Sequence, residues 1–290
     1  MEIFDRAAVR RHRGRAAARI GDHDFLAREI AGRLLERLGD IKREFALTLA
    51  LGYPGVAPDG GLAMRADLSP LLATDVAMDE EFLPFAAHSL DLVTSLLALH
   101  WVNDLPGALV QIRRALRPDG LFLAAMFGAE TLIELRTSLA LAESTVEGGV
   151  SPRLSPTVDL RDMGALLQRA GFALPVVDID HITVTYPDAF ALMRDLRGMG
   201  ETNALIQRRK HFTRRETLMT AAEIYRERFA DADGRLPATF QIIWLTAWAP
   251  HESQQQPLRP GSAKTRLADA LDAEEKPAGD KARPEPVEGR

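Results

Sequence analysis

The fold is decided by residues 79–120, which read DEEFLPFAAHSLDLVTSLLALHWVNDLPGALVQIRRALRPDG. The stretch begins with an acidic turn, and residues 89–97 then become continuously apolar, as the inner strand of a parallel sheet does. After a loop, residues 105–116 carry apolar side chains at helical spacing, and a Pro-Asp-Gly turn closes the helix. This order of strand, loop and helix predicts half of a ligand-binding α/β domain.

Elements of the same two kinds are predicted on both sides of this stretch. Because strands alternate with helices, the pattern predicts a layered sheet with helices on both faces. The predicted strands are 45–51, 62–68, 75–78, 121–127, 176–186 and 238–248, and the predicted helices are 5–38, 131–142, 158–170, 188–197 and 214–229.

The predicted organisation has three parts. Residues 1–44 form an N-terminal helical segment, and residues 45–250 form the ligand-binding domain, with a lid at about 187–235. Residues 251–290 form a tail, which we expect to be disordered because residues 256–290 have too little apolar surface to bury.

Composition excludes several classes of function. The chain has 290 residues, of which 46% are hydrophobic, so it can bury a sizeable core. It has no cysteine, which rules out disulfides, thiolate metal sites and a cysteine nucleophile. A net charge of −5 argues against nucleic-acid binding, and no apolar run is long enough for a membrane span. The excess of Arg over Lys is interpreted as compositional bias.

The first twenty residues bear on location. They lack the apolar segment of a secretory signal. They are rich in arginine, as mitochondrial presequences are, but Glu2 and Asp5 argue against that interpretation. We therefore expect a cytoplasmic protein.

Ligands of doubly wound sheets bind outside the carboxyl ends of the strands, so the residues that follow each strand are the candidates. Gly52 follows the first strand, where a nucleotide-like site needs glycine, although an ordinary surface turn explains it equally well. Asp67 follows the second strand and is placed to accept hydrogen bonds from ribose hydroxyls, or else to cap the turn at Ser69. After the third strand, either Asp79 or Glu80 is placed to accept from an adenine amino group, unless these acids lie in solvent.

The loop after the fourth strand holds the most unusual residues. His100, Trp101 and Asn103 combine a titratable ring, an aromatic surface and an amide where a substrate is expected. The alternative is structural, with Trp101 in the core and Asp104 as a helix cap. The other histidines have no metal-like spacing, and neither a Gly-x-Ser-x-Gly elbow nor a P-loop is present. The sequence thus gives little support to a zinc enzyme, a hydrolase or a kinase.

Several of these segments resemble the class I S-adenosylmethionine-dependent methyltransferases. The resemblance is strongest to the branch shared by the malonyl-carrier-protein methyltransferases and the arginine-hydroxylase assembly factors of mitochondrial complex I. It covers roughly residues 4–253, and the segments that carry it are EEFLPF (80–85), SLDLVTSLLALHWVNDLPGAL (89–109), LRPDGLFLAAMFG (116–128), GGVSPRLSP (148–156) and DLRGMGETNA (195–204).

The resemblance implies a Rossmann-like methyltransferase sheet, mostly parallel with the last strand antiparallel, and a helical lid. It implies S-adenosylmethionine as the cofactor, and residues 199–203 as part of the lid. The implied cofactor contacts are Gly52, Asp67, Asp79, Glu80 and Leu96, and the implied acceptor-side residues are His100, Trp101 and Asn103. In the glycine loop, the family's acid and two further glycines are replaced here by Ala50, Pro54 and Val56.

Three functions follow from these observations. The first is methyl transfer to a small carboxylate or a protein side chain. The second, which we prefer, is assembly of respiratory complex I through an arginine-bearing subunit. The third is a non-catalytic, degenerate methyltransferase fold that binds a protein partner, which the altered glycine loop suggests. No metal site is expected, and the oligomeric state stays open.

Overall fold

The computed structural model of the chain describes residues 2–72, 75–153 and 160–255. Met1–Glu252 form one compact unit, which holds all the elements described below, and Ser253–Arg290 form a second unit. The predicted disordered segment 256–290 lies outside the described residues. The division at residue 44 separates two segments of the first unit and stays a proposal.

A seven-stranded sheet forms the centre of the first unit, with strand order β3-β2-β1-β4-β5-β7-β6. Strand β7 is antiparallel to both of its neighbours, and the other pairs are parallel. This confirms the predicted Rossmann-like methyltransferase sheet. The strands are β1 (Leu47–Leu51), β2 (Leu62–Asp67), β3 (Val76–Ala77), β4 (Leu90–Leu96), β5 (Leu116–Phe127), β6 (Ala173–Tyr186) and β7 (Leu236–Trp248).

Helices cover both faces of this sheet. They are α1 (Arg6–Ala16), α2 (Phe25–Gly39), α3 (Leu105–Ala115), α4 (Ile133–Glu147), α5 (Leu160–Arg169), α6 (Ala189–Gly198) and α7 (Arg215–Phe229), with short 3₁₀ helices at Ala17–Asp22 and Leu99–Trp101. No described helix has the length and apolar character needed to cross a membrane.

The core is divided by the sheet because successive strand residues point to opposite faces. Leu92 and Leu96 of β4 pack in one cluster with α2, α4, α6 and α7. Val93 of the same strand packs in the other cluster with α3 and α5. All seven residues of β4 are buried, so this strand fixes the centre of the domain.

The N-terminal region departs from the predicted single helix 5–38. It is broken into α1, the 3₁₀ helix Ala17–Asp22 and α2. Helix α2 joins the main core through Leu26, Ile30 and Leu34. Helix α1 instead belongs to a small separate cluster, which includes Phe4, Ala8, Val9, Leu68, Trp101, Ala204 and Leu205. Between β1 and β2, the described residues contain no helix.

Candidate functional site

The carboxyl end of β2 holds Asp67, which is fully buried. Its carboxylate accepts hydrogen bonds from Arg13 of α1, with Nε 3.2 Å from Oδ1 and 3.1 Å from Oδ2. The backbone N–H of Ser69 also donates to Oδ1, at 2.7 Å, so the alternative turn-capping role is present as well. Burial lowers the pKa of the Arg13 guanidinium, but the charge and hydrogen bonds of Asp67 outweigh burial and hold this pKa above its usual range. Among the described residues, the Asp67 carboxylate is thus held by the Arg13 guanidinium and the Ser69 backbone.

The acidic turn after β3 is engaged in the same way. Arg6, also on α1, donates from Nη2 to Asp79 Oδ1 at 2.7 Å and forms a short ion pair with Glu80. Its Nη1 donates to the carbonyl of Trp101 at 3.1 Å. Burial raises the pKa of Glu80, and the charge of Arg6 offsets this only in part. The acids at both predicted adenosine-side positions, Asp67 and the Asp79–Glu80 pair, thus bind a guanidinium group of α1.

The glycine loop packs closely against β4. Gly52 has φ +85°, and a Cβ there would lie 2.1 Å from the carbonyl oxygen of Leu96, so a larger residue is excluded. Val56 is buried, and its carbonyl accepts a hydrogen bond from Thr94 Oγ1. The loop therefore packs directly against the end of β4.

Among the described residues, the cavity that lies against Arg13 of the docked α1 is small. The cavity beside Arg13, Tyr53 and Leu97 has a volume of about 30 Å³, whereas ligand pockets commonly enclose roughly 300–1,000 Å³. In this arrangement the residues present do not fit the cofactor that the family implies. No chemical step through S-adenosylmethionine is therefore derived from this conformation.

His100 and Trp101 are brought together with a residue that the sequence analysis placed in the lid. Glu201 Oε2 lies 3.1 Å from His100 Nε2 and accepts a hydrogen bond from Trp101 Nε1 at 3.0 Å. The His100 ring lies between Trp101 and Phe127, with centroid distances of 5.2 and 4.9 Å. Glu201 Oε1 is also 3.8 Å from Arg13 Nη1. One carboxylate thus connects His100 and Trp101 with α1.

Asn103 faces the N-terminal segment. Its Oδ1 accepts from the backbone N–H groups of Ile3 and Phe4, both at 2.7 Å, and its Nδ2 donates to the carbonyl of Phe4 at 3.1 Å. The structure therefore does not bring Asn103 together with His100 and Glu201. Its acceptor-side role stays a prediction, and its observed contacts hold the segment that leads into α1.

A larger cavity of about 550 Å³ opens beyond the ends of β4 and β5. Its floor is apolar, with Phe127, Leu135 and Phe240 among the lining residues. Glu201 is the one acidic side chain among the described residues that line it. Arginines lining it are Arg136, Arg153, Arg197, Arg208 and Arg209, of which Arg153, Arg208 and Arg209 form ion pairs with acids outside the lining.

Sequence reasoning missed Arg6 and Arg13 because the excess of arginine was attributed to composition. The available signal was their spacing, since residues seven positions apart lie on one face of a helix. Among the described residues, no group of three or more His, Cys, Asp or Glu is arranged to hold a metal ion.

The comparisons with known proteins confirm the resemblance. Residues 57–124 match the family model described as a methyltransferase domain. The mitochondrial arginine-hydroxylase NDUFAF5 of Danio rerio is 42% identical over 289 residues, which cover 93% of this chain and 89% of the relative. The Homo sapiens protein of the same name is 44% identical, with 91% of this chain and 81% of the relative covered.

More distant relatives are named for a different activity. The malonyl-acyl-carrier-protein O-methyltransferase of Xylella fastidiosa (strain M23) is 36% identical, with 86% of this chain and 89% of the relative covered. Among solved structures, the YcgJ protein of Bacillus subtilis matches with a TM-score of 0.47 and 16% identity, over 75% of this chain and 98% of that chain.

The prediction of a cytoplasmic location is wrong by the same comparisons, because the arginine-hydroxylase relatives are named as mitochondrial proteins. The prediction had weighed Glu2 and Asp5 against a targeting segment. Asp5 is instead the N-cap of α1, where its side chain accepts from the backbone N–H of Ala8 at 2.9 Å, and it pairs with Arg208. This acid belongs to the folded domain and therefore carries no information about targeting.

Proposed function

Because this chain belongs to the class I S-adenosylmethionine-dependent methyltransferase-like family, in the branch of the NDUFAF5 arginine hydroxylases and malonyl-carrier-protein methyltransferases, we propose that it is a respiratory complex I assembly factor. In this proposal it acts on an arginine side chain of a partner subunit. The observation that carries the proposal is the 42–44% identity to arginine hydroxylases over at least 91% of this chain.

The chemistry around Glu201 supports an arginine substrate. A carboxylate is the natural partner of a guanidinium group, and the ring faces of Trp101 and His100 offer an aromatic surface for a planar cation. His100 is more than nine-tenths buried, and the described residues offer its Nδ1 no hydrogen-bond partner. In the proposed role, Glu201 holds the guanidinium while His100 and Trp101 fix its orientation.

S-adenosylmethionine is the proposed cofactor. The supporting observations are the methyltransferase domain match and the sheet, whose strand ends carry Asp67 and the Asp79–Glu80 pair at the expected places. Gly52 and Leu96, which meet at the ends of β1 and β4, complete the proposed contact set. Their use by a cofactor requires α1 to move, because its arginines now hold the acids.

A small carboxylate is a second candidate acceptor, favoured by the arginines of the large cavity. Arg136 and Arg197 have no acidic partner among the described residues, and Arg136 Nε is buried without a hydrogen-bond partner. A ligand with an apolar body and an anionic end would match the apolar floor and this guanidinium. Malonyl thioesters and free dicarboxylates are the compounds to test.

The arginine proposal is tested in cells that carry the chain and complex I. We expect a complex I subunit to co-purify with the chain, and one of its arginines to gain the mass of an oxygen atom or of a methyl group. Substitution Glu201→Gln should abolish the modified peptide, whereas Glu223→Gln, on the exposed face of α7, should leave it unchanged. Normal complex I activity after deletion of the gene, with no subunit bound, would refute the assembly role.

A further inference from the structure

We propose that α1 is a latch on the cofactor crevice, so that the docked helix and an adenosyl cofactor exclude one another. Both need the carboxylates of Asp67, Asp79 and Glu80, and these are held by Arg13 and Arg6. The proposal rests on the proposed function in one respect, since it takes S-adenosylmethionine to be the cofactor of this domain. It explains why a sheet of the methyltransferase type has a closed crevice.

The latch is closed by charge. Arg6 and Arg13 lie on the same face of α1, and each guanidinium faces an acidic position at the strand ends. Removing both would leave Asp67, Glu80 and Glu201 without the cations that now neutralise them, which is unfavourable for buried carboxylates. When an adenosyl cofactor is bound, its ribose hydroxyls and its adenine amino group would donate to Asp67 and to the Asp79–Glu80 pair in place of the two guanidinium groups.

Helix α1 can leave without disrupting the main core. Its apolar contacts form the small cluster around Phe4, Val9 and Trp101, which is separate from both clusters that pack against the sheet. The next segment, Ala17–Asp22, contains no buried residue, and a Cβ added at Gly21 would point into open space among the described residues. Few buried contacts and an exposed connection are the features of a unit that opens locally.

The latch also holds the lid. The backbone N–H of Asp5 donates to the carbonyl of Ala204 at 2.8 Å, and the N–H of Ile206 donates to the carbonyl of Ile3 at 2.9 Å. Gly200 lies so close to α1 that a Cβ there would be 3.2 Å from the α-carbon of Arg13. Release of α1 therefore frees residues 199–206, including Glu201, and couples cofactor entry to the acceptor cavity.

A reversible lock tests the latch directly. A Cβ built on Gly14 would lie 3.4 Å from Ser69 Oγ, a separation close to that needed for a disulfide. Because the chain has no cysteine, the double variant Gly14→Cys/Ser69→Cys forms a single disulfide that fixes α1 on the crevice. S-adenosylmethionine and S-adenosylhomocysteine are titrated by calorimetry against the oxidised and the reduced full-length protein.

We expect the reduced protein to bind these ligands and the oxidised protein to lose binding, with Gly14→Cys alone as the control that is insensitive to oxidation. Equal affinity in the two redox states would overturn the latch, and so would the absence of binding in the reduced state.

Release of the latch gives an independent measurement. The variant Arg6→Met/Arg13→Met should bind the cofactor at least about tenfold more tightly, because the open state is then more populated. The matched control, Arg10→Met/Arg15→Met, changes two exposed arginines of the same helix and should bind as the natural chain does.

Hydrogen exchange should show faster exchange of α1 amides in the natural chain when cofactor is added. Cofactor binding with equal or greater protection of α1 would contradict the proposal.

The outcomes separate this proposal from the proposed function. If the double cysteine variant binds cofactor in the reduced state alone but modifies no arginine, the latch is supported and the arginine activity is refuted. If it modifies an arginine with the disulfide closed, the activity is supported and the latch is refuted.

Discussion

At the residue scale, the decisive feature is the buried pair of Arg13 and Asp67. The position of Asp67 at the end of β2 was accessible from the sequence, because an acid after the second strand is a recognisable signal. Its partner was not, because Arg13 lies 54 positions away on a helix whose packing no local pattern encodes. The same holds for Arg6 and the Asp79–Glu80 pair, which are more than seventy positions apart.

Removal of one member of this pair should be costly. In Arg13→Met, Asp67 stays buried whenever α1 is docked but loses its cation, so we expect the free energy of unfolding to fall by about 3–5 kcal/mol. Urea denaturation of the full chain measures it, with the exposed Arg10→Met as control, for which a change within about 0.5 kcal/mol is expected. An equal effect of the two substitutions would mean that the buried pair contributes nothing specific.

His12 should give the fold a sensitivity to mild acid. Burial lowers its pKa below the usual 6.5, and the charges of Arg15, Arg208 and Arg11 act in the same direction. In the neutral ring, Nδ1 is placed to donate to the carbonyl of Thr202, at 3.1 Å. Because the folded state disfavours the proton, stability is fully present above the unfolded pKa and is lost as the pH falls below it.

The measurement is the urea midpoint from about pH 7.5 to about pH 5.5, the range in which histidines titrate. His12→Gln keeps a side-chain donor without a titrating ring, so its midpoint should fall less over this range than that of the natural chain. His211→Gln, at an exposed position, serves as control and should follow the natural chain. A steeper loss in His12→Gln would show that the sign is wrong.

At the element scale, the loop between β4 and α3 holds the N-terminal segment in place. Asp104 caps α3 by accepting from the backbone N–H of Gly107 at 2.9 Å, as the sequence indicates. The neighbouring Asn103 makes three hydrogen bonds with residues 3 and 4. A loop predicted for substrate contact is thus divided between the cavity, a helix cap and the docking of α1.

Loss of the Asn103 amide should therefore loosen α1 more than the sheet. In Asn103→Ala we expect local opening of residues 3–16 to become easier by about 1–3 kcal/mol, since two backbone donors lose their acceptor. Hydrogen exchange read by mass spectrometry should show faster exchange there, with strand β4 unchanged. The control Gln168→Ala removes an exposed amide from α5 and should leave the N-terminal peptides as they are. Uniformly faster exchange across the sheet would point to global destabilisation instead.

The central elements were the most predictable ones. Strand β4 and helix α3 lie almost where the alternation and the apolar spacing predicted them. The pattern is clear because β4 is buried on both faces and α3 is buried on one face. The predicted helix 5–38 failed because its periodicity was read as continuous, although Gly21 and Asp22 lie where the chain turns. Strand β5 begins at Leu116, earlier than predicted, because Leu116 pairs with Leu90 of β4 before a register shift, and pairing resumes at Leu121 after the Pro-Asp-Gly turn.

At the scale of the whole molecule, the two halves of the sheet differ in completeness. On the β5 side, α3, α4, α5 and α7 cover the strands, and the large cavity opens beside them. On the β1 side, the described residues between β1 and β2 contain no helix, and α1 supplies the groups that fill the crevice. In the sequence, this difference is indicated by Ala50, Pro54 and Val56, which replace the family's residues in the glycine loop. The helix that compensates for it, α1, lies outside that loop.

Restoration of the glycine loop should therefore fail to open the cofactor site. Ala50 is fully buried in β1 and Val56 packs in the main core, so Ala50→Asp/Val56→Gly buries an unpaired carboxylate and leaves a cavity. We expect the free energy of unfolding to fall by about 3 kcal/mol or more, with no gain in affinity for S-adenosylmethionine, since Arg6 and Arg13 still hold the acids. Denaturation and calorimetry on the full chain measure both quantities, with Ala57→Asp in the same loop as control. Tighter cofactor binding at unchanged stability would show that the loop, and not α1, limits access to the crevice.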